Sequence, residues 1–149
     1  MLTVADVPRH ELAALLARHA LTLEDVPAGA PIPGSYWGEP EAGVIGHTVY
    51  VRPDTPLHSA LHEACHLIVA PRERRAAIHT DASASVAEED ASCYLQIVLS
   101  DEIHGAGRAR MTSDMDAWGY TFRLGSAAAW FERDAEDARQ FLLERGLLG

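Results

Sequence analysis

Residues 57–70 have the sequence LHSALHEACHLIVA, which predicts a helix that carries three histidines. Thr55 followed by Pro56 is typical of a helix N-cap and first turn, and the run contains no Gly or Pro until Pro71 ends it. Residues four apart on a helix lie on the same face. His62 and His66 are therefore expected to point the same way.

The His62-Glu63-x-x-His66 pattern predicts a metal site on this helix. Two imidazoles one turn apart can both bind a single zinc ion, and Glu63 lies beside them without having to be a ligand. A carboxylate in that place can take a proton from a metal-bound water, whose pKa the metal lowers. A random order of this composition gives the pattern with a probability of only about 0.03.

A third ligand must come from another element, because three successive turns of one helix cannot surround an ion. His58 is accordingly expected to be a surface or wall residue. The acidic start of the next predicted helix offers Glu88 and Glu89. Of these two we favour Glu88, because Ala91, Ser92 and Leu95 continue its face, whereas Glu89 shares a face with Cys93 and Gln96.

The two segments together resemble the gluzincin zinc metallopeptidases, in particular the small ImmA/IrrE-type proteins. The resemblance covers roughly residues 43–99 and depends on the His-Glu-x-x-His motif and on the acidic helix start that runs into Ala-Ser-Cys-Tyr-Leu. It implies that Glu88 is the third zinc ligand and Glu63 the general base. It also implies that the extended segment from Val44 to Val51 pairs with an extended substrate.

The chain departs from related patterns in two places. Ser92 stands where an Asn or Asp often steadies a metal-binding histidine, so Asp90 or Asp81 is expected to take that role. The metzincin extension of the motif is absent, with Val69 and Arg72 in place of its Gly and third His.

Amide hydrolysis also needs a donor for the developing oxyanion. Four residues remain open for this role, and the sequence does not choose between them: Tyr120, His104, Arg108 and His79.

The chain before the motif predicts a loop and a hairpin. Residues 27–40 are rich in Pro and Gly and predict a loop in which Tyr36 and Trp37 pack down. The β-branched residues within 43–52 predict a strand, or a hairpin that bends at Gly46.

Apolar periodicity predicts further helices on both sides of the motif. For residues 114–124 helix and strand are both open, with Asp114 as a possible cap. Ser126 is predicted to cap one long amphipathic helix that closes at Gly146. The other two helices are expected over residues 9–21 and 86–99.

Composition restricts the class of protein. The 149 residues suit one domain, 1–149. The predicted elements make it α+β, with an N-terminal helix, a short antiparallel sheet or hairpin, the motif helix, the glutamate-bearing helix and C-terminal helices, and the family resemblance implies that their arrangement is zincin-like. The 22 acidic and 12 basic residues give a net charge of −10, which disfavours nucleic acid and acidic membranes as partners.

The expected compartment is the cytoplasm. The chain has no secretion-signal pattern and no membrane-spanning apolar window. Its two cysteines, Cys65 and Cys93, are expected to be small, buried apolar residues and not a disulfide.

These features predict a zinc-dependent hydrolase, most plausibly a peptidase. Zn²⁺ would be held by His62, His66 and Glu88, with a bound water activated by Glu63 and a peptide or protein as substrate. The alternative is a non-catalytic, zinc-stabilised binding or regulatory module, in which Glu63 would matter little. The oligomeric state and any need for an activating partner stay open.

Overall fold

The computed structural model describes residues 1–35, 38–78 and 85–148. Within these ranges the chain forms an α+β fold with seven α-helices and one three-stranded sheet. The predictions made for Tyr36, Trp37, His79 and Asp81 lie outside the described residues.

The sheet is mixed, with the strand order β1-β3-β2. Its strands are β1 (Thr22–Asp25), β2 (Gly43–Ile45) and β3 (Thr48–Val51). The predicted hairpin is confirmed, because β2 and β3 pair antiparallel with Val44 opposite Val49. Gly46 turns the chain between them with a φ of +59°, a conformation that favours glycine.

The strand β1 was not predicted, and it corrects the expectation of a purely antiparallel sheet. It pairs parallel to β3, with Leu23 opposite Val49. Only Leu23 of its four residues is buried, so the segment has too little apolar periodicity to predict a strand.

The motif helix α2 (Leu57–Val69) lies on the sheet and packs most extensively against α4 (Val86–Ser100). Both helices were predicted. The N-cap position of α2 is Pro56 and not Thr55, and no side chain caps the helix. The Thr55 hydroxyl accepts a hydrogen bond from the backbone N–H of Arg52. The predicted N-terminal helix is α1 (Arg9–Arg18), and a short helix α3 (Arg72–Arg75) follows α2.

The C-terminal part differs from the prediction in two respects. Of the undecided segment 114–124, residues 114–118 belong to the helix α5 (Arg108–Trp118), so Asp114 lies inside a helix and is not its N-cap. The predicted long helix is two helices, α6 (Ala127–Arg133) and α7 (Glu136–Glu144), although Ser126 caps the first as expected. Tertiary packing explains the break, since α6 contacts α5 whereas α7 contacts α4.

One hydrophobic core joins these elements. The largest fully buried side chains come from α1, α2, α4, α5 and α7. Two short 3₁₀ turns, Val4–Asp6 and Arg123–Gly125, complete the described structure. In the part of the chain that the structure describes, no helix has both the length and the apolar character needed to cross a membrane.

Candidate metal centre

The two motif histidines meet the carboxylate of Glu89. His62 and His66 follow each other on one face of α2, with ring centroids 4.3 Å apart. Nε2 of His62 lies 3.0 Å from Oε1 of Glu89, and Nε2 of His66 lies 2.7 Å from Oε2 of the same carboxylate. The potential ligand atoms of these three residues all lie within 4.8 Å of one another.

Glu88, the residue preferred from the sequence, is not part of this group. Its carboxylate pairs with Arg74, which follows α2 in the short helix α3. The preference rested on an apolar face continued by Ala91, Ser92 and Leu95, but that face packs into the core. The face that turns towards the histidines carries Glu89 and, two turns further on, Gln96.

Gln96 is the functional residue that the sequence reasoning missed. Its Oε1 accepts a 2.6 Å hydrogen bond from Nδ1 of His62, and its Nε2 donates to the backbone carbonyl of His58 at 3.2 Å. Because an amide oxygen can only accept, this contact places the proton of His62 on Nδ1 and leaves Nε2 free to bind a metal. The available signal was a polar residue at helical spacing from Glu89.

Of the residues considered for steadying the histidines, Ser92 and Asp90 are described, and neither contacts His62 or His66. The Ser92 hydroxyl donates to the backbone carbonyl of Glu88 within its own helix, at 2.8 Å. Asp90 is exposed at the start of α4.

The three-residue group favours positive charge. Burial lowers the pKa of both histidines, but neighbouring side chains outweigh this and raise each pKa to about 10. Cys93 and Glu89 have this effect on His62, and Glu63 and Glu89 have it on His66. Burial raises the pKa of Glu89, but its contacts with the same two histidines lower it overall. The Glu89 carboxylate therefore stays ionised, and its negative charge stabilises positive charge on the two imidazole rings.

The donor set fits a zinc ion. Two imidazole nitrogens and one carboxylate are a ligand set of catalytic zinc sites, which keep a further position open. In the structure the Glu89 carboxylate contacts both imidazole nitrogens directly, through one oxygen each. The hydrogen bond of His62 to Gln96 supplies the outer-shell support typical of such sites.

Glu63 lies beside the group rather than within it. Its side chain is half-buried, and its Oε2 lies 3.7 Å from Nδ1 of His66, on the opposite side of that ring from Glu89. Its charge also reaches Glu41, whose pKa is raised first by burial and further by Glu63. This is the position that the motif predicts for a carboxylate that does not ligate.

Tyr120 stands over the motif helix. Its ring meets His62 edge-on with centroids 5.5 Å apart, and its hydroxyl lies 3.1 Å from Nδ1 of His58. Burial raises the pKa of Tyr120, so the hydroxyl keeps its proton. His58 itself is a wall residue, 1% exposed, and is no member of the ligand group.

The pairing between His58 and Tyr120 indicates which group donates. Nε2 of His58 is buried and has no hydrogen-bond partner among the described residues. An unpaired buried N–H costs more than an unpaired lone pair, so the proton of His58 belongs on Nδ1 and is donated to the Tyr120 oxygen. The hydroxyl of Tyr120 also interacts with the side chain of Gln96.

Arg108 and His104 have contacts away from the motif histidines, and His79 lies outside the described residues. Arg108 pairs with Asp101 at 2.6 Å and stacks over Phe131. His104 donates its backbone N–H to Glu11. Of the candidates that the structure describes, Tyr120 alone contacts the histidines of α2.

The outer edge of β2 is covered by the chain itself. The backbone N–H of Val44 donates to the carbonyl of Gly34, and Ser35 forms a bridge with Gly43. A Cβ atom on Gly43 would lie 1.9 Å from the Pro33 carbonyl oxygen, so the approach requires glycine there. The expected pairing of this segment with substrate is therefore not available at Gly43 and Val44.

Comparison with models of protein families, with curated proteins and with solved structures found no match to this chain.

Proposed function

We propose that the protein is a zinc-dependent hydrolase, most plausibly a peptidase of gluzincin type, with His62, His66 and Glu89 as the zinc ligands. The observation that carries the proposal is the convergence of these three side chains from two helices, with Glu63 beside them. The zincin-like reading of the fold rests on the same pair, a motif helix packed against a glutamate-bearing helix.

Bound zinc would act as a Lewis acid on a substrate carbonyl and make water a stronger acid. The residues of the chain then have separate tasks. Glu63 takes the proton of the attacking water and passes it to the leaving amine, as a general base and then a general acid. Gln96 holds one proton of His62 on Nδ1, so Nε2 is the nitrogen that would bind the metal once it has lost its own proton.

Tyr120 is the proposed donor to the oxyanion. Its hydroxyl is held by His58 and interacts with Gln96, and its ring lies against the ring of His62. A neutral hydroxyl fixed beside the ligands stabilises negative charge as it develops on the carbonyl oxygen, without reorganisation of the site. In this proposal Tyr120 stabilises the oxyanion, and Glu63 transfers the proton.

The test compares Glu63→Gln with the wild type, after purification without chelator or metal-affinity resin. Zinc per chain is measured by elemental analysis, and hydrolysis is measured by mass spectrometry of new termini in a mixed peptide library. Glu73→Gln, which removes an exposed carboxylate from α3, is the matched control.

We expect about one zinc per chain in all three proteins. Cleavage should persist in the wild type and the control, and fall by about 10²–10⁴-fold in Glu63→Gln. A fully active Glu63→Gln would overturn the mechanism, and a wild type that binds no zinc would overturn the site. Zinc binding without cleavage of any peptide would favour the zinc-stabilised module instead.

A further inference from the structure

A cavity of about 240 Å³ opens where three helices end. The last residues of α1 and α2, the helix α3 and the residues that follow α7 contribute to its wall. It shares no residue with the metal group. Its floor includes the apolar side chains of Ile68, Val69 and Leu147.

The wall of this cavity is strongly basic in an acidic protein. Four of the twelve arginines of the chain line it: Arg18, Arg72, Arg75 and Arg145. Among the described residues of the wall there is no carboxylate. An accumulation of positive charge in a protein of net charge −10 needs a physical reason.

Two of these arginines have structural partners. Arg75 is 4% exposed and donates to the backbone carbonyls of Leu67, Ile68 and His19. Arg18 pairs with the carboxylate of Glu102. Their presence is explained by the helix ends and by this ion pair.

Arg72 and Arg145 donate no hydrogen bond of this kind to a described carbonyl or carboxylate, although Arg145 also lies at a helix end, the C-cap of α7. Both are exposed, and in the described ranges neither forms an ion pair with a carboxylate. The guanidinium of Arg145 is stacked over the ring of Phe141, 4.3 Å from its centroid, which leaves its edge available for hydrogen bonds. These two side chains can therefore offer N–H groups to a ligand.

The positive charge of the wall also affects its neighbours. The pKa of His19 is lowered, first by burial and then by Arg18 and Arg75, and Glu102 offsets only part of this. The pKa of Arg75 is lowered by burial and by Arg72. An anion in the cavity would relieve this repulsion.

We propose that the cavity binds a small organic anion, a carboxylate on a short aliphatic chain, held by Arg72 and Arg145. A guanidinium group matches the planar carboxylate with paired hydrogen bonds. The apolar floor then receives the aliphatic part, as in small-molecule sites that combine an apolar lining with a few placed polar groups. The site does not depend on the proposed hydrolase activity.

The proposal is tested with hexanoate as the probe, by calorimetric titration of the wild type, Arg72→Gln and Arg145→Gln. The matched control is Arg139→Gln, which removes an exposed arginine from α7 at a position outside the cavity. We expect each cavity variant to weaken binding at least about tenfold and the control to change it less than about twofold. Hexan-1-ol, which lacks the charge, should not bind.

The side chain of His19 distinguishes this cavity from the metal centre, where a carboxylate could also bind. Its pKa, followed by NMR, should rise when hexanoate binds, because the anion offsets the arginines that lower it. No binding by the wild type, equal weakening in Arg139→Gln, or an unchanged pKa of His19 would each overturn the proposal. Tighter binding of inorganic phosphate than of hexanoate would overturn the aliphatic part.

Discussion

Gln96 on α4 fixes the orientation of His62 on α2 through a hydrogen bond of 2.6 Å between Oε1 and Nδ1. The amide of Gln96 is itself held, because its Nε2 donates to the carbonyl of His58 one turn before His62. The contact joins the two helices that contribute the proposed ligands. It also determines which nitrogen of His62 can bind a metal.

Replacement of Gln96 should therefore weaken zinc binding without removing a ligand. In Gln96→Met the side chain keeps its approximate volume but accepts no hydrogen bond, and we expect the zinc affinity to fall about 10–100-fold. In Gln96→Glu an acceptor for Nδ1–H remains, so the affinity should stay closer to that of the wild type. Competition with a chromogenic chelator measures both, and equal affinities for Gln96→Met and the wild type would contradict the role.

Two adjacent glutamates provide a second test with a built-in control. Glu89→Ala removes the carboxylate between the histidines, and the zinc content per chain should fall well below that of the wild type. Glu88→Ala removes the same charge one residue earlier, where it pairs with Arg74, and should leave zinc content unchanged. Elemental analysis measures the zinc content of both variants. Zinc lost in Glu88→Ala but kept in Glu89→Ala would identify Glu88 as the ligand.

The local part of the site could be predicted from the sequence, but the long-range part could not. The spacing of His62, Glu63 and His66 on a helix is a property of successive residues, and the structure keeps it. The choice between Glu88 and Glu89 depends on how α4 is rotated against α2. An apolar face indicates which side of α4 is buried, yet the histidines meet a second, polar side of the same helix.

The same distinction applies to the fold. The hairpin and the helices α1, α2 and α4 follow from local periodicity and turn residues. The strand β1 forms because β3 offers a free edge, and only Leu23 of β1 is buried. The break between α6 and α7 contains neither Gly nor Pro, since it arises from the different helices against which the two halves pack.

Loss of the Tyr120 hydroxyl should reduce turnover more than substrate binding. In Tyr120→Phe the ring that contacts His62 remains, while the proposed oxyanion donor is removed. We expect kcat to fall about 10²–10³-fold with little change in KM or in zinc content. Tyr94→Phe is the control, because Tyr94 stacks on Phe131. A higher KM at unchanged kcat would instead assign Tyr120 to substrate binding.

Arg75 should be a major contributor to stability, because it completes the end of the motif helix. The carbonyl of Leu67 would normally accept the N–H of residue 71, but that residue is Pro71 and has none. Nε of Arg75 donates to this carbonyl instead, while its terminal nitrogens reach Ile68 and His19. Truncation would leave these buried acceptors without a charged donor.

Arg75→Met keeps much of the aliphatic packing and removes the donors, so we expect the free energy of unfolding to fall by about 3 kcal/mol. Arg139→Met, at an exposed position of α7, should change it by less than about 0.5 kcal/mol. Urea denaturation of both variants, at equal zinc content, gives the comparison. Equal stability of the two would show that the end of α2 does not need this guanidinium, and that water satisfies the carbonyls that Pro71 leaves open.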